Sequence, residues 1–284
     1  MARWLRRIRH PGMPDQFLAR QFGDLLQLLK ANDCSFHSCT ALGGTPVPGG
    51  VAFRYDIHLR DLDPAYDFLA FHLRENIPAT FFLMWDHSRT ERSRLKNFLI
   101  FAKKVKKPVE LGLHDSPVDA FLIEAKFSGD AKAYRRWAAS DDAIAWLETL
   151  AATPELLTHF HADALELLKR RVQRTCEHFG NIAAIAPHGG ELVQGLRERM
   201  ATLKPASREI ATSLFAQNWL TQERVVAAGL TANVEYSKRV PTWKEVSDRG
   251  GSRIVMQKKI EQALASGNAV QALLHPNAWL KREP

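Results

Sequence analysis

The sequence predicts a single α/β domain built on a parallel, barrel-like sheet, and three observations predict it. Short β-rich apolar runs alternate with helical periodicities along nearly the whole chain. Runs such as Ala79-Thr80-Phe81-Phe82-Leu83-Met84-Trp85 are apolar on both faces, as strands covered on both sides of a parallel sheet must be. No linker, low-complexity segment or repeat of fixed period breaks the alternation, and 284 residues are enough for one large core.

The elements follow in order. Residues 1–13 form a basic tail, with the domain expected over 14–284. Phe17, Phe22, Leu25, Leu26, Leu28 and Leu29 fall at helical spacing behind Pro14 and Asp15, which predicts an amphipathic helix over 15–31. A Gly- and Pro-rich loop over 32–50 leads into Val51-Ala52-Phe53 and the stretch RYDIHLRDLD. Asp63-Pro64 opens a second helix ending near Glu75-Asn76, with Ala65, Phe68, Leu69 and His72 on one side. Asn76-Ile77-Pro78 turns the chain into the run 79–85, completing a βαβ unit. A helix over 93–104 and a strand over 108–114 repeat the pattern. A long helical stretch over 118–179 follows, interrupted at Ser128-Gly129-Asp130 and Thr153-Pro154, with His159 and His161 expected on a helix surface. A strand over 182–186 delivers Pro187-His188-Gly189-Gly190. After a helix over 191–203 and a less regular region, a helix over 252–265 and a strand over 269–274 end at His275-Pro276-Asn277-Ala278-Trp279.

Composition narrows the function classes. Apolar residues make up 45% and charged residues 25%, as in an ordinary globular protein. The net charge of +8 and a pI near 9.5 invite a nucleic-acid partner. The basic residues are dispersed, however, and no aromatic platform is interleaved with them, so no nucleic-acid partner is expected. Cys34, Cys39 and Cys176 form no CxxC pair, which fits a reducing compartment and predicts a cytoplasmic protein. No run reaches the ~20 apolar residues of a membrane span. Trp4, Leu5 and Ile8 beside four arginines suit a peripheral contact with an anionic membrane.

The chemistry gathers at strand ends. Side chains alternate along a strand, so Arg54, Asp56 and His58 share one face while Phe53, Tyr55 and Ile57 share the other. A carboxylate and an imidazole in a core strand are unfavourable unless paired with each other, with Arg54 or with a metal. A structural Asp–Arg pair with a surface histidine is the plainer alternative. Asp56 with His58, His114, His188 and His275 each close a predicted strand, and in parallel sheets the carboxyl ends of strands face one side. Neutral imidazoles beside a carboxylate match a zinc site with an open position.

The order FRYDIHLRD, IPATFFL, VELGLH, APHGG and LLHPNAW resembles the polysaccharide deacetylase (NodB-homology) superfamily, especially its branch in sugar and O-antigen biosynthesis. The resemblance covers roughly Gln16 to Leu280 and implies an irregular (β/α)7-type barrel of parallel strands. In that branch the first motif usually reads RHDVD and the second ends in EIGLH. The resemblance makes Asp56 the general base and His275 the general acid toward the leaving amine. His58 falls where a ligating acid is expected, and His114 matches the first histidine of the metal motif. Four residues further on, Val118 stands where many members place a second histidine, so the third ligand must come from elsewhere, with His188 and Asp115 as candidates. Arg54, Asp115, Asp248 and Trp279 are the expected substrate-side residues, Asp248 also orienting His275.

These roles imply a metal-dependent hydrolase, with zinc the expected divalent ion, that removes an N-acyl group, in the first instance acetyl, from a sugar in surface-polysaccharide biosynthesis. The expected substrate is a nucleotide- or lipid-linked sugar. The alternative is a degenerate relative that binds a sugar or a partner enzyme without hydrolysing anything, motivated by His58 and Val118.

Overall fold

The computed structural model describes residues 15–58, 61–84, 109–234, 242–248 and 253–276. The fold is α/β with parallel strands, of the irregular (β/α)7 type expected. The strands are β1 (Ser35–His37), β2 (Gly50–Ile57), β3 (Ala79–Met84), β4 (Val109–Asp115), β5 (Ala184–Pro187), β6 (Ala232–Asn233), β7 (Trp243–Ser247) and β8 (Ala269–Leu274). Their order is β6-β5-β4-β3-β2-β8-β7, with β1 beside β2. Contacts divide the chain into two compact units, Met1–Gly112 with Ser237–Pro284, and Leu113–Tyr236.

In the first unit all eight residues of β2 are buried, because β2 is flanked by β1, β3 and β8. Its sequence alternates as a strand with two different faces requires. Phe53 and Tyr55 pack against the helix Leu62–Glu75 and β3: the Tyr55 ring stacks on Phe81 at 4.6 Å and meets Phe68 at 5.1 Å. Burying each such aromatic contributes about 1.5–3 kcal/mol. His72 joins this face, donating from Nδ1 to the Ile77 carbonyl at 3.1 Å and accepting at Nε2 from the Tyr55 hydroxyl at 2.7 Å. Burial pulls the His72 pKa down from 6.5 to about 3. The helix stops at Asn76, whose left-handed backbone (φ 55°) lets its N–H cap the His72 carbonyl.

The other face of β2 is polar. Register places Arg54 between Thr80 of β3 and Leu273 of β8, and Ala52 beside Gln271. Gln271 is fully buried and neither amide atom has a hydrogen-bond partner among the described residues; the buried Trp243 Nε1 has none among them either.

The second unit is mainly helical. Four helices, Pro117–Phe127, Ala131–Ala138, Asp141–Ala152 and Pro154–Phe179, follow β4. The first ends at Ser128-Gly129, both with positive φ, and Asp130 caps the next by accepting from the N–H groups of Lys132 and Ala133. An aromatic cluster of Phe127, Tyr134, Trp137, Trp146 and Phe160 joins all four.

Both predicted interruptions of the 118–179 stretch occur, and a third lies at Ala139-Ser140, where Ser140 precedes the Asp141 helix. The predicted 191–203 helix is shorter, Glu191–Leu196 with a 3-10 turn at Met200–Thr202. β1 and the helix Cys39–Gly44 form inside the predicted 32–50 loop. They are too short for periodicity to mark them. The predicted 93–104 helix and the basic 1–13 tail lie outside the described residues.

Candidate functional site

Within the first unit, the buried Arg54 guanidinium grips Asp56 from Nε and Nη2, both at 2.8 Å, and donates from Nη1 to Glu245 of β7 at 3.2 Å. Phe82 lies under the guanidinium at 5.5 Å. The i, i+2 spacing on one strand face makes the bidentate Arg54–Asp56 pair possible, and the planar fork fixes the carboxylate. Arg54 is therefore engaged with two internal carboxylates rather than turned to solvent.

At the end of β8, His275 is held at two points by Asp248, which follows β7. Its backbone N–H donates to Oδ2 at 2.7 Å and its Nδ1 to Oδ1 at 2.6 Å. A carboxylate only accepts, so Nδ1 carries the proton and Nε2 is the nitrogen that can take up or give one. The His58 ring lies nearly parallel to that of His275, centroids 6.4 Å apart at 14°. His58 directly follows β2, and its carbonyl and N–H are both tied to Asp61.

Within the second unit, β4 delivers His114 and β5 delivers His188. Their rings meet edge-on with centroids 4.9 Å apart at 89°. His114 Nδ1 donates to the Ala186 carbonyl at 3.1 Å, which fixes its tautomer and turns Nε2 into the nitrogen with a lone pair. The backbone N–H of His188 donates to the Asp115 carbonyl at 2.8 Å. The Asp115 side chain is buried and bidentate with Arg171 at 2.8 and 3.1 Å. That pairing makes it a strut between β4 and the long helix Pro154–Phe179 rather than a solvent-facing group.

Asp119, two residues into the helix Pro117–Phe127, is 6% exposed. It accepts from the Ser116 hydroxyl at 2.6 Å, from the Leu192 N–H at 3.2 Å and from the Tyr134 hydroxyl. Burial pushes its pKa up against the lowering effect of these bonds, and burial together with the Asp119 charge pushes Tyr134 well up.

Sequence reasoning named Asp56, His58, His114, His188, His275, Arg54, Asp115 and Asp248, and the structure describes all of them. Trp279 lies outside the described residues. Val118 is buried at 1% exposure, an apolar packing residue. His161, expected on a helix surface, is half-buried and accepts at Nδ1 from Trp219 Nε1 at 3.0 Å. Burial and the nearby Arg224 lower its pKa to about 4. Asp119, Arg171 and Glu245 were missed. Each pairs with a residue far away in sequence, and only the PHGG turn, with a glycine where a helix begins, hinted at Asp119.

No helix among the described residues is long and apolar enough to cross a membrane. Set against family models, curated proteins and solved structures, the chain matches none.

Proposed function

We propose that the chain is a metal-dependent hydrolase that cleaves an N-acyl group from a nucleotide- or lipid-linked sugar, with the adjacent His114 and His188 imidazoles as ligands of the ion and His58 the third ligand that the family resemblance adds. The donor set fits a borderline divalent ion such as zinc: three neutral imidazoles leave the ion its full charge and a position for another ligand. When bound, such an ion supplies Lewis-acid polarisation of the acyl carbonyl.

The observation that carries the reading is the His275–Asp248 dyad, with Nδ1 locked at 2.6 Å on a carboxylate. In that tautomer Nε2 is the nitrogen that takes up a proton, and from the imidazolium so formed, which Asp248 stabilises, Nε2 passes it to a departing amine. Asp56 is the proton acceptor for the attacking water, its carboxylate plane fixed by Arg54. Arg54 and Asp115 serve as supports for their carboxylate and guanidinium partners rather than as substrate contacts. The basic composition favours a phosphate-bearing substrate, and a cytoplasmic, membrane-peripheral place for the protein follows from that reading.

A second reading, a sugar binder without hydrolysis, is favoured by Val118 at the expected ligand position and by the engagement of both Asp56 oxygens with Arg54. One experiment separates the two. Protein purified without chelator is analysed for metal and assayed for carboxylate release from nucleotide- and lipid-linked N-acetylated sugars. Bound metal with release that disappears in Asp56→Asn and His275→Ala supports the hydrolase. Sugar binding with no release supports the binder, and the absence of any bound metal after zinc addition overturns the ligand set.

A further inference from the structure

We propose that Asp119 is the positioning residue for His188, fixing the Gly189-Gly190 turn that presents this imidazole beside His114. The inference rests on the reading of His188 as a metal ligand. A chain with Val118 in place of a ligand needs a device that holds a substitute delivered from another strand.

The turn after β5 is tied to the end of β4 at three places. One is a backbone bond, His188 N–H to the Asp115 carbonyl, and one a side-chain bond, His114 Nδ1 to the Ala186 carbonyl. The third is Asp119. The helix Glu191–Leu196 starts at Gly190, a residue with no side chain to cap it. Asp119 supplies the missing acceptor from the neighbouring helix by taking the Leu192 N–H.

Gly190 is small because Asp119 is there. A Cβ built on Gly190 falls 1.6 Å from Asp119 Oδ2 and 2.8 Å from Ser116 Oγ. The carboxylate thus lies against the backbone two residues beyond His188, in space that any other residue at 190 would fill.

Asp119 cannot easily move aside. Ser116 and Tyr134 both donate to it, and Tyr134 is anchored by its stacking on Trp137 at 5.8 Å. Ligating groups must be held to within about 0.5 Å of their working geometry, and residues just behind the ligands provide that restraint. Asp119 sits one position after Val118, so the same helical turn that lost a ligand carries the clamp for its replacement.

The test titrates Co2+ alone into the full-length protein. Asp119→Asn keeps the side-chain volume, and circular dichroism and thermal unfolding verify that it folds. It should weaken Co2+ binding about tenfold to a hundredfold, the usual effect of losing a residue behind a ligand. Gly190→Ala should do the same from the other side of the contact. In a His188→Ala background, Asp119→Asn should cost no further affinity, because the group it positions is gone. An equal loss with and without the His188 imidazole, or no loss in wild-type background, overturns the inference.

A wild-type protein that takes up no Co2+ sinks the metal reading by itself. The positioning role is then decided on the metal-free protein with 13C-labelled histidine. A His188 ε1 resonance that moves toward that of a mobile, exposed histidine in Asp119→Asn supports it, and an unchanged resonance overturns it.

Discussion

Acid should weaken this protein through His72. The His72 pKa is about 3 in the folded chain, because burial among Phe53, Tyr55, Phe71 and Phe81 penalises the charged ring, against 6.5 when exposed. Between those values the unfolded chain binds a proton that the folded chain does not. Stability from this group is therefore complete above pH 6.5 and is lost as pH falls through the window toward 3. The slope is about 1.4 kcal/mol per pH unit, so roughly 2 kcal/mol disappears between pH 7 and pH 5. His72→Gln keeps a hydrogen-bonding group near Tyr55 but has nothing to titrate. Urea unfolding of both proteins at pH 7, 6 and 5 isolates the term, since the carboxylates common to both cancel. The variant should start lower at pH 7 and converge on, or overtake, the wild type at pH 5. Parallel stability curves for the two proteins would refute the argument and show that His72 is protonated in the folded state.

Three further outcomes follow from the same structure. Arg54→Met should destabilise by about 3–5 kcal/mol in urea unfolding, because it leaves Asp56 and Glu245 without their shared cation; adding Asp56→Asn should recover part of the loss. Under the proposed function, Asp248→Asn should lower the rate of sugar deacylation at least a hundredfold with KM little changed, since an amide no longer fixes the His275 tautomer; a rate near wild type would remove the dyad from the proposed chemistry. Gln271→Leu should raise stability by about 1–3 kcal/mol, as it removes two buried polar groups that have no partner among the described residues; a fall of that size would reveal water or another polar group bonded to the amide.

The strand and helix pattern was legible where elements are long or uniformly apolar. The helix Asp15–Ala31 is where the spacing of Leu25, Leu26 and Leu29 puts it, and β3 and β8 fall within a residue of the expected runs. β6, with two residues, and β7, with Trp243 and Val246 buried around exposed Lys244, carry too little pattern to stand out from a loop. At the site, the ionisable strand ends were readable because apolar strands rarely finish on histidine or aspartate. Their partners were not. Arg171 lies on a helix whose polar residues mostly face water, and nothing local distinguishes it from Arg170 or Arg174. What selects it is the buried Asp115 it meets, a tertiary fact.

The first unit is discontinuous in sequence: the second unit, Leu113–Tyr236, is inserted between its two halves. β2 reaches full burial only when Val51 to Tyr55 pair with Val270 to Leu274, which emerge long after β3 during synthesis. Until then the nascent chain holds an apolar strand with one bare hydrogen-bonding edge, while the inserted unit already has its whole sequence available. Non-local pairing of this kind is slow, and exposed edges recruit other chains. Expression at lower temperature, or with chaperones that shield strand edges, should therefore raise the soluble yield. Truncations that remove β7 and β8 should aggregate through β2 rather than accumulate as a folded fragment.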